Sequence, residues 1–517
     1  MKRYSAPFIA TANVAIAAAC GPAPEPMDVV EATIADIQTA LVDGRTTCRL
    51  VVQAYLNRIG TYDKPEGLNA ITVINPDALT RADEIDQALE HEGDLGPLFC
   101  APILVKDNYD THDLPTTGGS IALRNSLPPD DAFMVRKLRE ADAIVLAKTN
   151  MAEWAFSPRQ TVSSSFGTTA NAYALDRVPA GSSGGTASGV AANFGVAGMG
   201  TDTGNSIRGP AAHLSLFGIR STIGLTSRDG VIPLAFDRDI AGPLTRTVED
   251  GVRLFNVVAG YDPADPYTED GRDNKEDDYL AFLDPTGLQG ARIGVLRALV
   301  DTEDADTNVI AVFEAALEDM RRMGAEVVDP LVIPTLNDHL NARNSCRRFR
   351  YDMHVYLESL GDRAPLRDVM EVLETGQYSP YIESRLQSWG RGPADVPPEQ
   401  LDPSCAPYLE HPGRQAYKND VVAAMDAAGV QAIVYPTWTN PPAHLDRAEE
   451  EYRGDNSQLV APATGLPAVT VPMGYSYGRF PAGLQILGRP YDEGVLFRLA
   501  YAYEQGTHHR RPPPGFP

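Results

Sequence analysis

Residues 134–150 read MVRKLREADAIVLAKTN. In the first half Met134, Val135 and Leu138 recur at helical spacing among charged residues, and the second half holds a short, almost unbroken apolar run of strand length. A helix that runs directly into a buried strand is one unit of an alternating α/β chain, and the same alternation continues on both sides. Upstream, Asn75-Pro76 precede DALTRADEIDQALEHEG, which offers an N-cap, a proline at the first helical position, apolar residues at helical spacing and a closing glycine. Ala101 to Val105 then form an apolar run of strand length. Downstream come Ile293 to Leu296, a helix with Val309, Phe313, Leu317 and Met320 on one face, and the strand-like AEVVDP. This pattern predicts an α/β fold: a single large domain with a mixed, mostly parallel-type central sheet covered by helices. No repeat of 20 to 50 residues is visible, which removes solenoids and propellers.

The chain of 517 residues is 43% hydrophobic and 22% charged, enough to bury a large core. Its formal net charge of −25 comes from scattered acids, so the surface repels nucleic acid and anionic lipid heads, and a nucleic-acid partner is not expected. No metal-ligand spacing occurs, and no metal or other cofactor is expected.

Lys2 and Arg3 precede a short, uncharged and largely apolar stretch that ends in Ala17-Ala18-Ala19-Cys20-Gly21. A basic start, a short apolar run and small residues before the cut are the requirements of a secretory signal, predicted over residues 1–20. The small residues before Cys20 resemble a bacterial lipobox, which implies lipidation of Cys20, export and attachment to a membrane; Ala17 stands where such boxes prefer leucine. Residues 21–27 read as a proline-rich tether, and residues 28–517 as the folded body. Cys48, Cys100, Cys346 and Cys405 complete the cysteines, with no CxxC. Cys346 and Cys405 are the pair considered for a disulfide across a long insert, with buried free thiols as the alternative.

That insert, about 336–455, is aromatic, proline-rich and less periodic than the rest. Its Tyr378, Tyr381, Trp389, Tyr408 and Trp438 either wall a substrate cleft or fill core. Between Met151 and Gly230 small residues dominate instead, the mark of backbone that approaches something closely.

Three places there and just before it could carry chemistry: Lys106 in APILVKDN, PAGSSGGTASG at 179–189, and GTDTGNSIRG at 200–209. Each has an ordinary reading, respectively a surface lysine, a linker and a turn. No GxxxxGK[ST] phosphate loop and no HExxH occurs. His213 is the histidine nearest Ser206 in sequence; on one helix the two would lie roughly 10 Å apart, too far for a base to touch the hydroxyl.

Taken together, Lys106, Ser182 in GSSGG and Ser206 in GTDTGNSIRG resemble the amidase signature family, whose catalytic group is Ser-cis-Ser-Lys. MVRKLREADAIVLAKTNMAEWA, SRDGVIPL, DIAGPLTRTVED, GLPAVTVPMG and FPAGLQILG extend the resemblance over most of the chain, weakly in the insert. It implies hydrolysis of carboxylic amide C–N bonds through an acyl-enzyme on Ser206, with Lys106 as base relayed by Ser182, itself held by a cis bond to Ser183. It also implies an oxyanion hole from the backbone N–H groups of Thr203, Gly204, Asn205 and Ser206, with Asp202 and Arg208 bracing the loop. The chemistry fits these residue types: a neutral amine is needed to take a hydroxyl proton, and desolvation supplies one. Two departures stand out. Gly204-Asn205 replaces the usual Gly-Gly, placing a Cβ beside the acyl pocket where asparagine's tolerance of positive φ would help, and GIRST at 218–222 replaces Gly-Leu-Lys-Pro-Thr. The substrate expected is a small-molecule or peptide amide, by resemblance to exported peptide amidases. The alternatives are a noncatalytic exported binding protein of the same fold and a glutamine-hydrolysing amidotransferase subunit.

Overall fold

The computed structural model describes residues 1, 23–91, 93–342, 348–401, 406–407 and 410–517. The predicted signal with Cys20, the cysteines Cys346 and Cys405, and Tyr408 lie outside the described residues.

Among the described residues eleven strands form one sheet: β1 (Ile71–Ile74), β2 (Pro102–Lys106), β3 (Ile144–Thr149), β4 (Ala197–Asp202), β5 (Phe217–Arg220), β6 (Ile240–Thr245), β7 (Arg292–Val295), β8 (Glu326–Val328), β9 (Ala432–Pro436), β10 (Ala468–Ser476) and β11 (Phe480–Leu487). Their spatial order is β1-β3-β2-β4-β6-β5-β10-β11-β9-β7-β8. The sheet is mixed, as expected, but parallel pairing is confined to two flanks, β3-β2-β4 and β9-β7-β8. The centre, β4-β6-β5-β10-β11-β9, is antiparallel throughout. This corrects the expectation of a mostly parallel sheet. Alternating helices and strands in sequence reveal parallel crossovers, whereas the antiparallel centre combines a tight hairpin, β10-β11, with joints such as β5-β10 between strands far apart in the chain.

Every residue of β2, β3, β4, β6, β9 and β11 is buried, because helices cover both faces of the sheet. One half of the core gathers Ile103, Leu104, Val145, Leu138, Val190 and Met199 with the N-terminal helices. The other gathers Phe217, Phe255, Phe313, Leu317, Val434 and Phe497. The expected helices are present at 78–90, 133–140 and 307–322. The last buries Val309, Phe313, Leu317 and Met320 on one face, each such side chain contributing about 1.5–3 kcal/mol of apolar burial, and Asp306 caps it by accepting from Asn308 N and Val309 N. The helix after Asn75 begins at Ala78 with Asp77 as its N-cap; Asn75 instead accepts from Asp77 N at 2.9 Å, one turn ahead of the helix.

The segment of the aromatic insert forms a third, smaller core in which Phe349, Met353, Val372 and Leu386 close over Trp154, Phe156, Ile232 and Leu234. Cys48, at the start of the helix 48–62, is joined to Cys100 by a disulfide, and both residues are fully buried. Among the described residues no helix is long and apolar enough to cross a membrane.

Candidate active site

Lys106 is the last residue of β2, and the period-two alternation of the strand turns it toward the face covered by the helix 184–191. That helix begins at Gly184, so the residues just before it, Ser182 and Ser183, lie at its N-terminus beside the end of β2. Lys106 Nζ donates to Ser182 Oγ at 2.8 Å and to Thr201 Oγ1 at 2.7 Å. All three side chains are buried, Lys106 and Ser182 completely. Burial pulls the Lys106 amine down from its ordinary 10.5 to about 7, against the opposing charges of Asp202 and Asp239. A fully buried ammonium with only hydroxyl partners is costly, and the neutral amine is correspondingly favoured.

The small residues around Ser182 are needed because backbone passes backbone here. A Cβ on Gly181 would lie 2.3 Å from Ser157 O, and one on Gly185 would lie 2.2 Å from Asn150 O. The cis peptide bond joins Gly181 to Ser182, which corrects the expected placement between Ser182 and Ser183. Ser183 has a different part: its hydroxyl donates to Thr201 O at 3.2 Å and accepts from Thr201 N at 3.3 Å, fastening the loop to β4.

β4 ends at Asp202, and the chain bends through Thr203, Gly204, Asn205 and Ser206 before the helix 208–213. Asp202 and Arg208 are both an ion pair and a brace. Arg208 donates to Asp202 through Nε at 3.0 Å and Nη2 at 3.2 Å, to Gly204 O at 2.8 Å and to Gln485 Oε1 at 2.8 Å. Arg220, the arginine of GIRST, adds a second cation at 2.8 Å from Asp202. Burial alone would raise the Asp202 carboxyl, but Arg208 and Arg220 overcome it and hold the group at about 2. On the other side Thr203 donates its hydroxyl to Asp239, which also accepts from Leu234 N at 2.8 Å and Ala235 N at 3.0 Å. With both ends of the bend tied, the N–H groups of Thr203, Gly204, Asn205 and Ser206 have no protein acceptor among the described residues. These four residues in succession line the cleft that Ser206 borders.

Asn205 does not adopt positive φ, so left-handed backbone is not what suits asparagine to this position. Its carboxamide is held instead by a backbone carbonyl and a carboxylate, Pro158 O and Asp455, and the Ser206 hydroxyl donates to Asn205 Oδ1 at 3.2 Å. Ser206, 5% exposed, borders a cleft of about 270 Å³ whose walls include Phe156, Leu234, Arg238, Arg385 and Trp389. The loop 203–206 lines the same cleft, whereas Lys106 and Ser182 are fully buried and not among its lining residues. Of the other aromatic residues, Trp438 is buried against His213 and Tyr452, and Tyr381 is exposed. His213 is no base for Ser206: burial pushes its ring down to about 3, and it stacks on Trp438 with centroids 4.4 Å apart.

Thr201 and Arg220 lie within GTDTGNSIRG and GIRST, but their partnerships, like that of Asp239, carry no local signal, because β-sheet register and chain return create them. One group among the described residues could approach a metal together, His112, Asp113 and Asp131; Arg139 already pairs with both carboxylates, at 2.7 and 3.0 Å.

This geometry agrees with what the chain is similar to. Over 491 residues it is 33% identical to a glutamyl-tRNA(Gln) amidotransferase subunit of Acinetobacter baumannii, covering 93% of this chain and 97% of the relative. It is 31% identical over 499 residues to a probable amidase of Arabidopsis thaliana, covering 94% and 92% respectively. The structure superimposes on the native peptide amidase of Stenotrophomonas maltophilia with a TM-score of 0.82 at 35% identity, covering 94% of this chain and 98% of that one. Residues 50–497 match the amidase family model, and the chain belongs to the amidase signature family, an enzyme of amide hydrolysis.

Proposed function

We propose that the protein hydrolyses terminal carboxamides of peptides to the acid and ammonia, with Ser206 as nucleophile, Ser182 as relay and Lys106 as base. The observation that carries the reading is the fully buried Lys106–Ser182 contact of 2.8 Å, together with a Ser206 hydroxyl that borders the cleft. Ser206 Oγ attacks the carbonyl carbon as its proton passes to Ser182, whose own proton passes to Lys106 Nζ. The carbonyl oxygen becomes an oxyanion facing the N–H groups of 203–206, where each aimed donor is worth about 3–4 kcal/mol. Collapse expels the nitrogen, which receives the proton back along the same path, and water activated by the same base releases the acid.

For the substrate, the cleft supplies apolar walls in Phe156, Leu234 and Trp389 and guanidinium donors in Arg238 and Arg385. Such a lining suits a short peptide with an apolar side chain and carbonyl acceptors better than a purely apolar aryl amide. The structural likeness to a peptide amidase supports the same class. A panel of peptide amides, aryl amides and glutamine, assayed for ammonia and amine release, tests it. Peptide amides should lead; a preference for glutamine would favour the amidotransferase reading that the Acinetobacter relative suggests.

Export is supported by the basic, apolar and small-residue pattern of residues 1–20 and by the buried Cys48–Cys100 disulfide, since stable disulfides belong to oxidising compartments. Lipidation at Cys20 would anchor the enzyme to a membrane. Fractionation of wild type and Cys20→Ser checks this: wild type should travel with membranes and the variant should not.

A further inference from the structure

Asn205 stands between the nucleophile and a partly buried acid, Asp455. Its Nδ2 donates to Pro158 O at 3.1 Å and to Asp455 Oδ2 at 3.1 Å. A backbone carbonyl only accepts, so this end of the carboxamide is the NH₂ end and Oδ1 is the end presented to Ser206. The acid is fixed in turn: Asp455 accepts from Tyr452 OH at 2.9 Å, from Gln458 Nε2 at 3.0 Å and from Ser457. Behind the amide, Gly209 leaves the room it needs, since a Cβ there would lie 2.9 Å from Asn205 Nδ2. Asn205 is 1% exposed, so its side chain is a built part of the site and not a surface group folded over it.

The consequence concerns where the Ser206 proton points. It is donated to Asn205 Oδ1 at 3.2 Å. An amide oxygen does not take up a proton near neutral pH, so a hydroxyl bonded to it is off the path to Ser182 and Lys106. We propose that Asn205, anchored by Asp455 and Pro158, is a positioning residue that parks the Ser206 hydroxyl in the resting enzyme, so that acylation requires its release. The inference rests on Ser206 as nucleophile. A resting interaction lost before the transition state slows the step by its own equilibrium weight, which for one neutral hydrogen bond is about 2- to 10-fold.

The experiment follows labelling of the enzyme by a small activated phosphonate, quantified by intact mass between pH 6 and 9. The proteins compared are wild type, Asn205→Ala, Asp455→Asn and Ser206→Ala. Asn205→Ala should label about 2- to 10-fold faster than wild type. The pH midpoint should stay where it is, because Lys106 keeps Ser182 and Thr201 as its partners. Asp455→Asn leaves one acceptor oxygen where the carboxylate has two and removes its charge, which weakens the hold on the amide, and its rate should fall between the two. A purely structural role for Asn205 would loosen the donor loop and slow labelling. Unchanged or slower labelling in a folded Asn205→Ala overturns the proposal; if that variant does not fold, absence of acceleration in Asp455→Asn overturns it. Labelling that persists in Ser206→Ala would count against the nucleophile, a result separate from either.

Discussion

Two lysines lie fully buried on neighbouring parallel strands, Lys106 on β2 and Lys148 on β3. In the register Lys106 faces Thr149 and Val105 faces Lys148, so the two amines leave the sheet on opposite faces. Lys148 enters a nest of acceptors: Tyr109 O at 2.6 Å, Thr116 Oγ1 at 2.8 Å, Thr111 Oγ1 at 3.3 Å, and the buried carboxylate of Asp107 at 3.8 Å. Burial lowers its pKa as well, but Asp107, Asp110, Asp113 and Asp131 all oppose that shift. Lys106 meets only two hydroxyls at hydrogen-bond distance, and one of the two carboxylates that act on it, Asp202, is already neutralised by Arg208 and Arg220. The difference separates a lysine ringed by acids from one left with hydroxyls, the partner set that the proposed base needs. Burial is common to both, and the partners decide.

The largest expected effect breaks the pair apart. Lys106→Met and Lys106→Arg should each lower kcat/KM by about 10²–10⁴-fold, because neither side chain accepts a proton. Lys148→Met should keep kcat within a few-fold but cost about 3–5 kcal/mol of stability by leaving Asp107 buried without its cation. Steady-state kinetics and urea unfolding on the same preparations check both, and a folded, inactive Lys148→Met would erase the distinction. Next in size is the pH profile of kcat/KM. The neutral amine is the active form, so activity should be lost as pH falls through about 7 and level off above it. A flat profile between pH 6 and 9 would make Lys106 a bystander. The smallest effect sharpens the electrostatics: Asp239→Asn removes one of the negative charges that favour protonated Lys106, so the midpoint should move to lower pH by less than about one unit.

The same contrast bears on what the sequence reveals. Lys106, Ser182 and Ser206 were legible because each sits in a stretch whose residue choice is dictated locally, by a strand end or by glycines under close backbone contact. Helices such as 307–322 were legible for the same reason, through their apolar period. Thr201 was not, because its partnership with Lys106 depends on the parallel register of β2 and β4. Asp239 and Asp455 reach the nucleophile loop from other segments, Asp455 from 250 residues beyond Asn205. The Cys48–Cys100 bond spans 52 residues without a spacing motif, and nothing local in the sequence marks it. The antiparallel centre of the sheet is not legible beyond its β10-β11 hairpin, because no local pattern records that β10 also pairs with β5 and β11 with β9.

The buried amine of Lys106 also couples folding to a proton. Unfolded, it titrates at its ordinary value near 10.5, and folded at about 7, so between those pH values unfolding takes a proton up at this residue. The native state binds fewer protons there, and the contribution of Lys106 to stability therefore rises with pH from about 7 to about 10.5. Below that window the penalty is complete, on the order of 5 kcal/mol at about 1.36 kcal/mol per unit. At neutral pH the active enzyme thus stands near the bottom of this slope, and the inactive Lys106→Met protein, free of it, should be the more stable of the two.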